Sequence, residues 1–305
     1  MIDTELLRSA AALDDVEVLP NEPLSKHTSL GVGGPADLFV IPNSVDALCH
    51  VVRYATDAAI PAFVLGEGTN VVVRDGGVRG MVIKIGQNLA EIARDNCHVT
   101  AQAGARLAML CRKCCEWGLS GLEFAAGIPG SVGGALVMNA GAYDGEMKNV
   151  VDWVLAIDAD GTKHKLCRDE LEMSYRHSVF QRNGMIIAEG QFAVRPDDGR
   201  AVRNRTYAVV EERCCKQPVA QRSAGSIFKR PEGDFAGRLL EDVGAKGLRV
   251  GGAKISEKHA NFIVNCDGAT AKDVLELIEL VRRRVYDSFG VLLESEVLVV
   301  GQDPA

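Results

Sequence analysis

The spacing of apolar positions predicts a chain that mixes strands and helices throughout. "ADLFVIP" (36–42) reads as a strand after a short N-terminal helix, and Asn43 or Ser44 caps a helix in which Leu48, Val51, Val52 and Ala55 recur at helical spacing. A βαβ-like unit follows. "AFVLG" (62–66) runs into "GEGTN", and the short strands "VVVR" and "MVIKI" flank the turn "DGG". In "ARLAMLCRKCCEWG" the residues Leu107, Leu110, Cys111 and Cys114 form one helical stripe, ended by Gly118. "VDWVLAIDADGTKHKL" alternates around Asp160-Gly161, a two-residue hairpin signal, and "MIIAEGQFAV" is another strand.

From residue 199 the pattern changes. A polar stretch predicts a helix that stops at Pro218, and a domain boundary near residue 198 precedes it. Beyond lie a helix closing on Gly244, the strand "NFIVN", and a helix capped by Thr270, with Val274, Leu277, Ile278, Val281 and Val285 on one stripe and Gly290 at its end. The terminal "VLLESEVLVV" reads as a strand that puts Leu292, Glu294, Glu296, Leu298 and Val300 on one face. Two carboxylates on such a face are expected at a solvated edge.

Composition narrows the class. The chain has 305 residues, 47% hydrophobic and 25% charged, which is a globular composition. Its net charge of −7 leaves no general basic face for nucleic acid, so an anionic ligand must be met locally. The N-terminus, "MIDTELLRSAAALDDVEVLP", is acidic where a secretion signal needs a basic start, and no apolar run is long enough for a membrane span. A cytoplasmic location is expected. The nine cysteines then read as free thiols. Cys111 and Cys114 read as core residues rather than metal ligands, because no second C-x-x-C or His completes a set, and Cys214-Cys215 reads the same way. No metal is expected.

The chemistry concentrates in glycine. "GIPGSVGGALVMNAGAY" (127–143) fits neither a Rossmann turn nor a P-loop, yet such a run lets a phosphate or flat ring lie on backbone N–H groups. A tightly packed turn is an equal alternative for the run taken alone. Gly66 to Asn70 forms a second glycine-rich loop at a strand end.

Several motifs in one order resemble the UDP-N-acetylenolpyruvoylglucosamine reductase family: "LSKHTSLGVGGPADLFV", "LGEGTNVVVRDGG", "LEFAAGIPGSVGGALVMNAGAY", "YRHSVF", "SAGSIFKRP", "VGGAKISEKHANFIVN" and "LLESEV". The resemblance spans nearly the whole chain and fits the shorter form of the family. It implies an α+β fold, with an FAD-binding module of the vanillyl-alcohol-oxidase (PCMH) type in residues 1–198, divided near residue 86. Residues 199–305 would form an α+β substrate-binding domain, with the last residues packing back on the first module. It also implies non-covalent FAD, since Gly66 to Asn70 offer no His for attachment, with NADPH as co-substrate and a UDP-sugar enolpyruvyl ether as substrate.

By the same resemblance, Gly66, Glu67, Gly68, Thr69 and Asn70 would cradle the diphosphate. Gly127, Ile128, Pro129, Gly130, Gly133 and Gly134 would lie along the rest of FAD, with Asn139 and Gly141 nearby. Arg176 would hold the substrate carboxylate, Ser226 would donate a proton to C-2, and Glu296 would assist, although strand parity does not separate it from Glu294. Lys216, Lys229 and His259 align with positions near the UDP group. Arg230 departs from the family, some of whose members place a substrate-contacting Asn there. Two other readings are a flavoenzyme acting on another substrate and a non-catalytic nucleotide-binding module.

Overall fold

The computed structural model describes residues 9, 10 and 12–304, so most of the expected N-terminal helix lies outside the described residues. The chain divides into two compact units: Met1–Pro20, Leu38–Glu67 and Gly80–Glu212 in the first, and Asn21–Asp37, Gly68–Arg79 and Arg213–Ala305 in the second.

In the first unit an antiparallel sheet runs in the order Lys163–Cys167, Val151–Ile157, Ile186–Ala193, His98–Gln102, Ile92–Asp95. Strand Ala62–Leu65 pairs in parallel with Val78–Lys84, placing Leu65 opposite Lys84. Helices Val45–Asp57, Leu107–Glu116 and Val132–Val137 bury their apolar sides in the same core as Val99, Val154, Ala188 and Phe192. Ser44 caps the first of these helices through its side chain. Cys111 and Cys114 lie in this core, and burial pushes their thiols up, Cys114 to about 12. Their pattern is that of packed apolar residues.

In the second unit the antiparallel order is Ser223–Ser226, Phe262–Asn265, Ala253–Ile255, Arg249–Val250. Helix Ala271–Phe289 covers its core with Val274, Leu277, Ile278, Val281 and Val285, carries a Thr270–Asp273 capping box, and ends on left-handed Gly290. Helix Ala236–Asp242 adds Leu239 and Leu240 to the same core. Strand Leu298–Val300 pairs in parallel with Val71–Val73.

Several elements differ from expectation. The helix after residue 198 spans Gly199–Lys216, but its early turns belong to the first unit, and the units divide after Glu212. Thr206 bonds the Cys115 thiol at 3.0 Å, and Arg205 pairs with Glu123 and Asp197, so these side chains fix the N-terminal turns where charge pattern alone gave no clue. The Asp160-Gly161 turn is a wider loop in which Asp158 Oδ1 accepts from both Asp160 N and Thr162 N. The terminal strand is short, Leu298–Val300, because residues 291–297 are held through the isolated Phe228–Ser295 bridge rather than a ladder. Leu293 and Val297 are the buried residues there, Leu292, Glu294 and Leu298 are exposed, and Glu296 is half-buried. Cys214 and Cys215 are exposed rather than buried, since they lie on the polar last turn of their helix. Among the described residues no helix is long and apolar enough to cross a membrane.

Candidate active site

The loop that opens at Gly66 leaves the Ala62–Leu65 strand beside Lys84. That lysine ends a strand whose Met81, Val82 and Ile83 are fully buried, and its Nζ donates to the Gly66 carbonyl at 2.5 Å. Burial lowers the Lys84 pKa against the opposing pull of Glu67. Glu67 itself pairs with Arg106 at 3.3 Å. Arg106 forms a bridge with Ser131, and Leu107 N donates to the Gly130 carbonyl, so the start of helix Leu107–Glu116 is tied to the long glycine run.

Within that run the glycines serve different ends. Gly127, Ile128 and Pro129 follow the turn Glu123–Ala125, and Ile128 packs against the core. A Cβ on Gly133 would meet Ala103 Cβ at 2.9 Å and its carbonyl at 3.2 Å, so this glycine lets the helix sit on the neighbouring chain. A Cβ on Gly134 would meet only Ser131 Oγ, at 3.5 Å. The same oxygen stands 2.6 Å from the Cβ position of Gly66, so Ser131 lies between the two glycine sites. Gly68, expected among the residues that cradle the diphosphate, is held to glycine by a neighbour inside the protein. With φ at +63°, its Cβ would overlap the His27 carbonyl, so the requirement comes from the protein's own backbone.

Asn139 and Arg176 are joined through one hairpin. Asn139 is fully buried, and its Nδ2 donates to Glu146 Oε2 and the Ser174 carbonyl at 3.0 and 2.9 Å, while its Oδ1 accepts from Lys148 N at 2.9 Å. Its side chain is thus consumed in bracing the loop that carries Arg176. Arg176 adopts φ of +53°, and its guanidinium donates to the Gly141 carbonyl and lies over the Tyr175 ring. A large side chain held in the left-handed region costs about 1–3 kcal/mol and persists where surroundings over-determine it. Tyr143 and Asp144, at the tip of the Gly141–Glu146 hairpin, share that conformation.

The second unit gathers a different set. The Ile227 carbonyl accepts from Glu296 N at 2.7 Å, and the Glu296 carbonyl accepts from Asn70 Nδ2 at 3.1 Å. Leu298 N returns a bond to the Asn70 carbonyl. Ser226 is the residue before Ile227, at an irregular step of its strand where Gly225 has φ of +75°. Buried Asn261 clamps both the N–H and the carbonyl of Phe228. Asn70, Ser226 and Glu296 are therefore brought together by backbone bonds. The two glutamates also differ in setting: Glu294 pairs with Lys229 at 2.5 Å on an exposed position, whereas Glu296 is half-buried and its backbone carbonyl takes the Asn70 amide.

The remaining candidates are more dispersed. His259 Nδ1 accepts from Asn261 N, leaving Nε2 to carry the proton of the neutral ring, and the ring meets Phe262 edge-on at 5.0 Å. Burial lowers its pKa, with Lys246 adding to the effect, so it offers a neutral donor rather than a cation near neutral pH. Lys216 is exposed at the end of its helix, and Arg230 stacks on Phe235 at 4.0 Å. Sequence reasoning missed Lys84, Ser131 and Asn261. A lysine interrupting the apolar "MVIKI" was a legible signal for the first, and a serine three residues before Gly134 for the cap it makes with that residue's N–H.

Known proteins give the arrangement its context. Residues 36–166 match the family described as FAD binding domain, and residues 217–300 match the C-terminal domain of UDP-N-acetylenolpyruvoylglucosamine reductase. The fold is thus α+β, a vanillyl-alcohol-oxidase (PCMH) type module followed by that reductase domain. The reductase of Alkaliphilus oremlandii is 46% identical over 286 residues, 94% of either chain, and that of Syntrophomonas wolfei is 45% identical over 283 residues, 93% of this chain and 95% of the relative. The solved UDP-N-acetylenolpyruvylglucosamine reductase of Thermus caldophilus has a TM-score of 0.80 at 37% identity, covering 94% of this chain and 99% of that one. The chain belongs to the UDP-N-acetylenolpyruvoylglucosamine reductase family.

Proposed function

We propose that this protein reduces UDP-N-acetylglucosamine enolpyruvate to UDP-N-acetylmuramate, using non-covalent FAD and NADPH, in the cytoplasmic synthesis of peptidoglycan precursor. The reading places it in cell-wall biogenesis, and hence in cell shape and division. In this reading the flavin-binding role falls to the glycine runs within residues 1–198, and the substrate-binding role to the chain beyond together with Arg176. The observation that carries the reading is the fixing of Asn70, Ser226 and Glu296 through the Ile227 and Glu296 carbonyls, which holds a hydroxyl and a carboxylate on rigid backbone.

The residues fit such a cofactor. A dinucleotide needs backbone approach and local positive charge, and Gly134 is exposed with only the Ser131 hydroxyl near it, while Lys84 stands at Gly66. Bound FAD would supply hydride to C-3 of the enolpyruvyl group, and NADPH would restore it. Arg176, braced by Asn139 and Gly141, would hold the substrate carboxylate, where charge accumulates as C-3 is reduced. Ser226 would then give its hydroxyl proton to C-2, and Glu296 would assist at that step. Lys216, Lys229 and neutral His259 would meet the UDP diphosphate, the lysines by charge and the imidazole by its Nε2–H.

The test is spectroscopic. Purified protein should be yellow, should release FAD on acid denaturation, and should bleach anaerobically with NADPH and recover on addition of the UDP-enolpyruvyl substrate. Bleaching without recovery would point to a flavoenzyme acting on another substrate, and a colourless protein that takes up no FAD would leave a nucleotide-binding module.

A further inference from the structure

Lys84 has no place in the proton or carboxylate chemistry above, yet its position is costly. An ammonium is rarely placed at the end of an apolar strand unless something compensates its desolvation. Here Met81, Val82 and Ile83 are fully buried and Ile85 nearly so, and Lys84 is half-buried among them. Its one hydrogen bond is to a neutral group, the Gly66 carbonyl at 2.5 Å, and its other N–H bonds have no acceptor among the described residues. Glu67 lies near enough to favour the charged form, but Glu67 is paired with Arg106 at 3.3 Å. Two cations and one carboxylate leave a net positive charge beside the glycine loop, in a chain whose overall charge is −7.

The two cations are not equivalent. Arg106 is 63% exposed and already has a carboxylate partner, so solvent and Glu67 both screen it. Lys84 is the less hydrated of the two and has donors to spare. Its register opposite Leu65 fixes it beside the first residue of the loop, and the Ser131 hydroxyl approaches Gly66 from the other glycine run. A phosphate oxygen satisfies what the ammonium lacks, beside a glycine that brings no side chain of its own.

We propose that Lys84 is a positioning residue for the cofactor, supplying the charge that holds the diphosphate of a bound dinucleotide against the Gly66 turn. The proposal rests on the FAD reading and adds to it a residue outside the glycine runs. Its bond to the Gly66 carbonyl has a second consequence: it fixes the peptide that leads into the loop, so that charge and backbone are set by one side chain.

Flavin-free protein is titrated with FAD, with riboflavin, which has the ring but no phosphate, and with inorganic pyrophosphate as competitor. Lys84→Met should weaken FAD binding by roughly 10–100-fold, the scale of a charge-assisted hydrogen bond. It should leave riboflavin within about twofold and make pyrophosphate a roughly tenfold poorer competitor. Lys84→Arg should retain most FAD affinity, whereas Lys84→Gln, which keeps an N–H donor for the Gly66 carbonyl but no charge, should not. Unchanged FAD affinity in Lys84→Met, an equal loss for FAD and riboflavin, or full recovery in Lys84→Gln would each overturn the proposal, the last two by showing a mere staple of the loop. A variant that no longer melts cooperatively without flavin would overturn it likewise, by making Lys84 a requirement of the fold. Failure of the wild-type protein to bind FAD would be a distinct result, striking the cofactor reading first.

Discussion

The glycine run of residues 127–143 and the segments around Ser226 and Glu296 carry their information in opposite ways. The run is conspicuous as text, but its glycines answer to several neighbours: Gly133 to Ala103, Gly141 to the Gly145 carbonyl, and Gly134 only loosely to the Ser131 hydroxyl. Glycine density therefore reports that backbone comes close to something, and the something is often more backbone. Ser226 and Glu296 look ordinary in sequence, one a turn residue and the other a charge on a solvated face. Their meaning comes from Ile227, whose carbonyl joins the two segments, and from Asn70, which reaches across more than two hundred residues of chain to the Glu296 carbonyl.

The comparison breaks most sharply at Ser226. If side-chain chemistry belongs to this region and cofactor binding to the glycines, Ser226→Ala should bind FAD normally and bleach with NADPH near the wild-type rate. Re-oxidation by substrate should slow by roughly 10²-fold or more, the range for loss of a positioned general acid, and Ser226→Cys should recover part of it. Anaerobic stopped-flow of each half-reaction decides the matter. Equal slowing of both would make Ser226 a support of site geometry, and no slowing of either would remove it from the mechanism.

Two adjacent glycines sharpen the other side. Gly133→Ala drives a methyl into Ala103 and should cost about 1–3 kcal/mol of stability, as overpacking does, with flavin or without. Gly134→Ala has room for the methyl in the flavin-free protein and gains up to about 1 kcal/mol of helix propensity. It should melt no lower than wild type yet bind FAD more weakly. Melting curves and FAD titration of both variants give the check, and matching behaviour would mean that the run is packing throughout.

What was legible follows the range of the forces involved. The cap at Thr270, the left-handed stop at Gly290 and the apolar stripes are set within a few residues and are readable as pattern, as is a cap at Asn43 or Ser44, which the structure gives to Ser44. The unit boundary at Glu212 was not legible, because it depends on Thr206 meeting Cys115 and Arg205 meeting Glu123 from distant parts of the chain. The terminal strand was overextended for a related reason. Alternation over residues 291–300 satisfies the strand pattern, yet only Leu298–Val300 finds a partner strand to pair with. At the site, motif likeness supplied the residues and the structure supplied their connections: Asn139 emerged as a brace for the Arg176 loop, and Glu294 as the partner of Lys229. Lys84 carries a legible signal, one charge in an apolar strand, but its meaning depends on Gly66 and Glu67, which the local pattern does not bring to it.

The smallest effect tests whether the second unit tolerates charge at His259, the proposed diphosphate contact. Burial lowers the pKa of His259, with Lys246 adding repulsion and Glu241 opposing it. A histidine whose folded pKa lies below its unfolded value contributes stability that is complete above about 6.5 and lost as pH falls through the folded value. Because the ring is partly solvated, the loss is modest. The flavin-free protein should melt about 1–3 °C lower at pH 5 than at pH 7 through this residue alone, measured as the difference from His259→Gln over the same range. Nδ1 accepts from Asn261 N, so the protonated ring must also give up that bond, and Asn261 holds Phe228 beside Ser226. Acid should therefore loosen the Ser226 segment before the glycine run, visible as faster amide exchange at Ile227 and Phe228 in wild type and not in the variant. Parallel pH curves for the two proteins would mean that His259 titrates alike folded and unfolded, and would leave it free to meet the diphosphate as a cation.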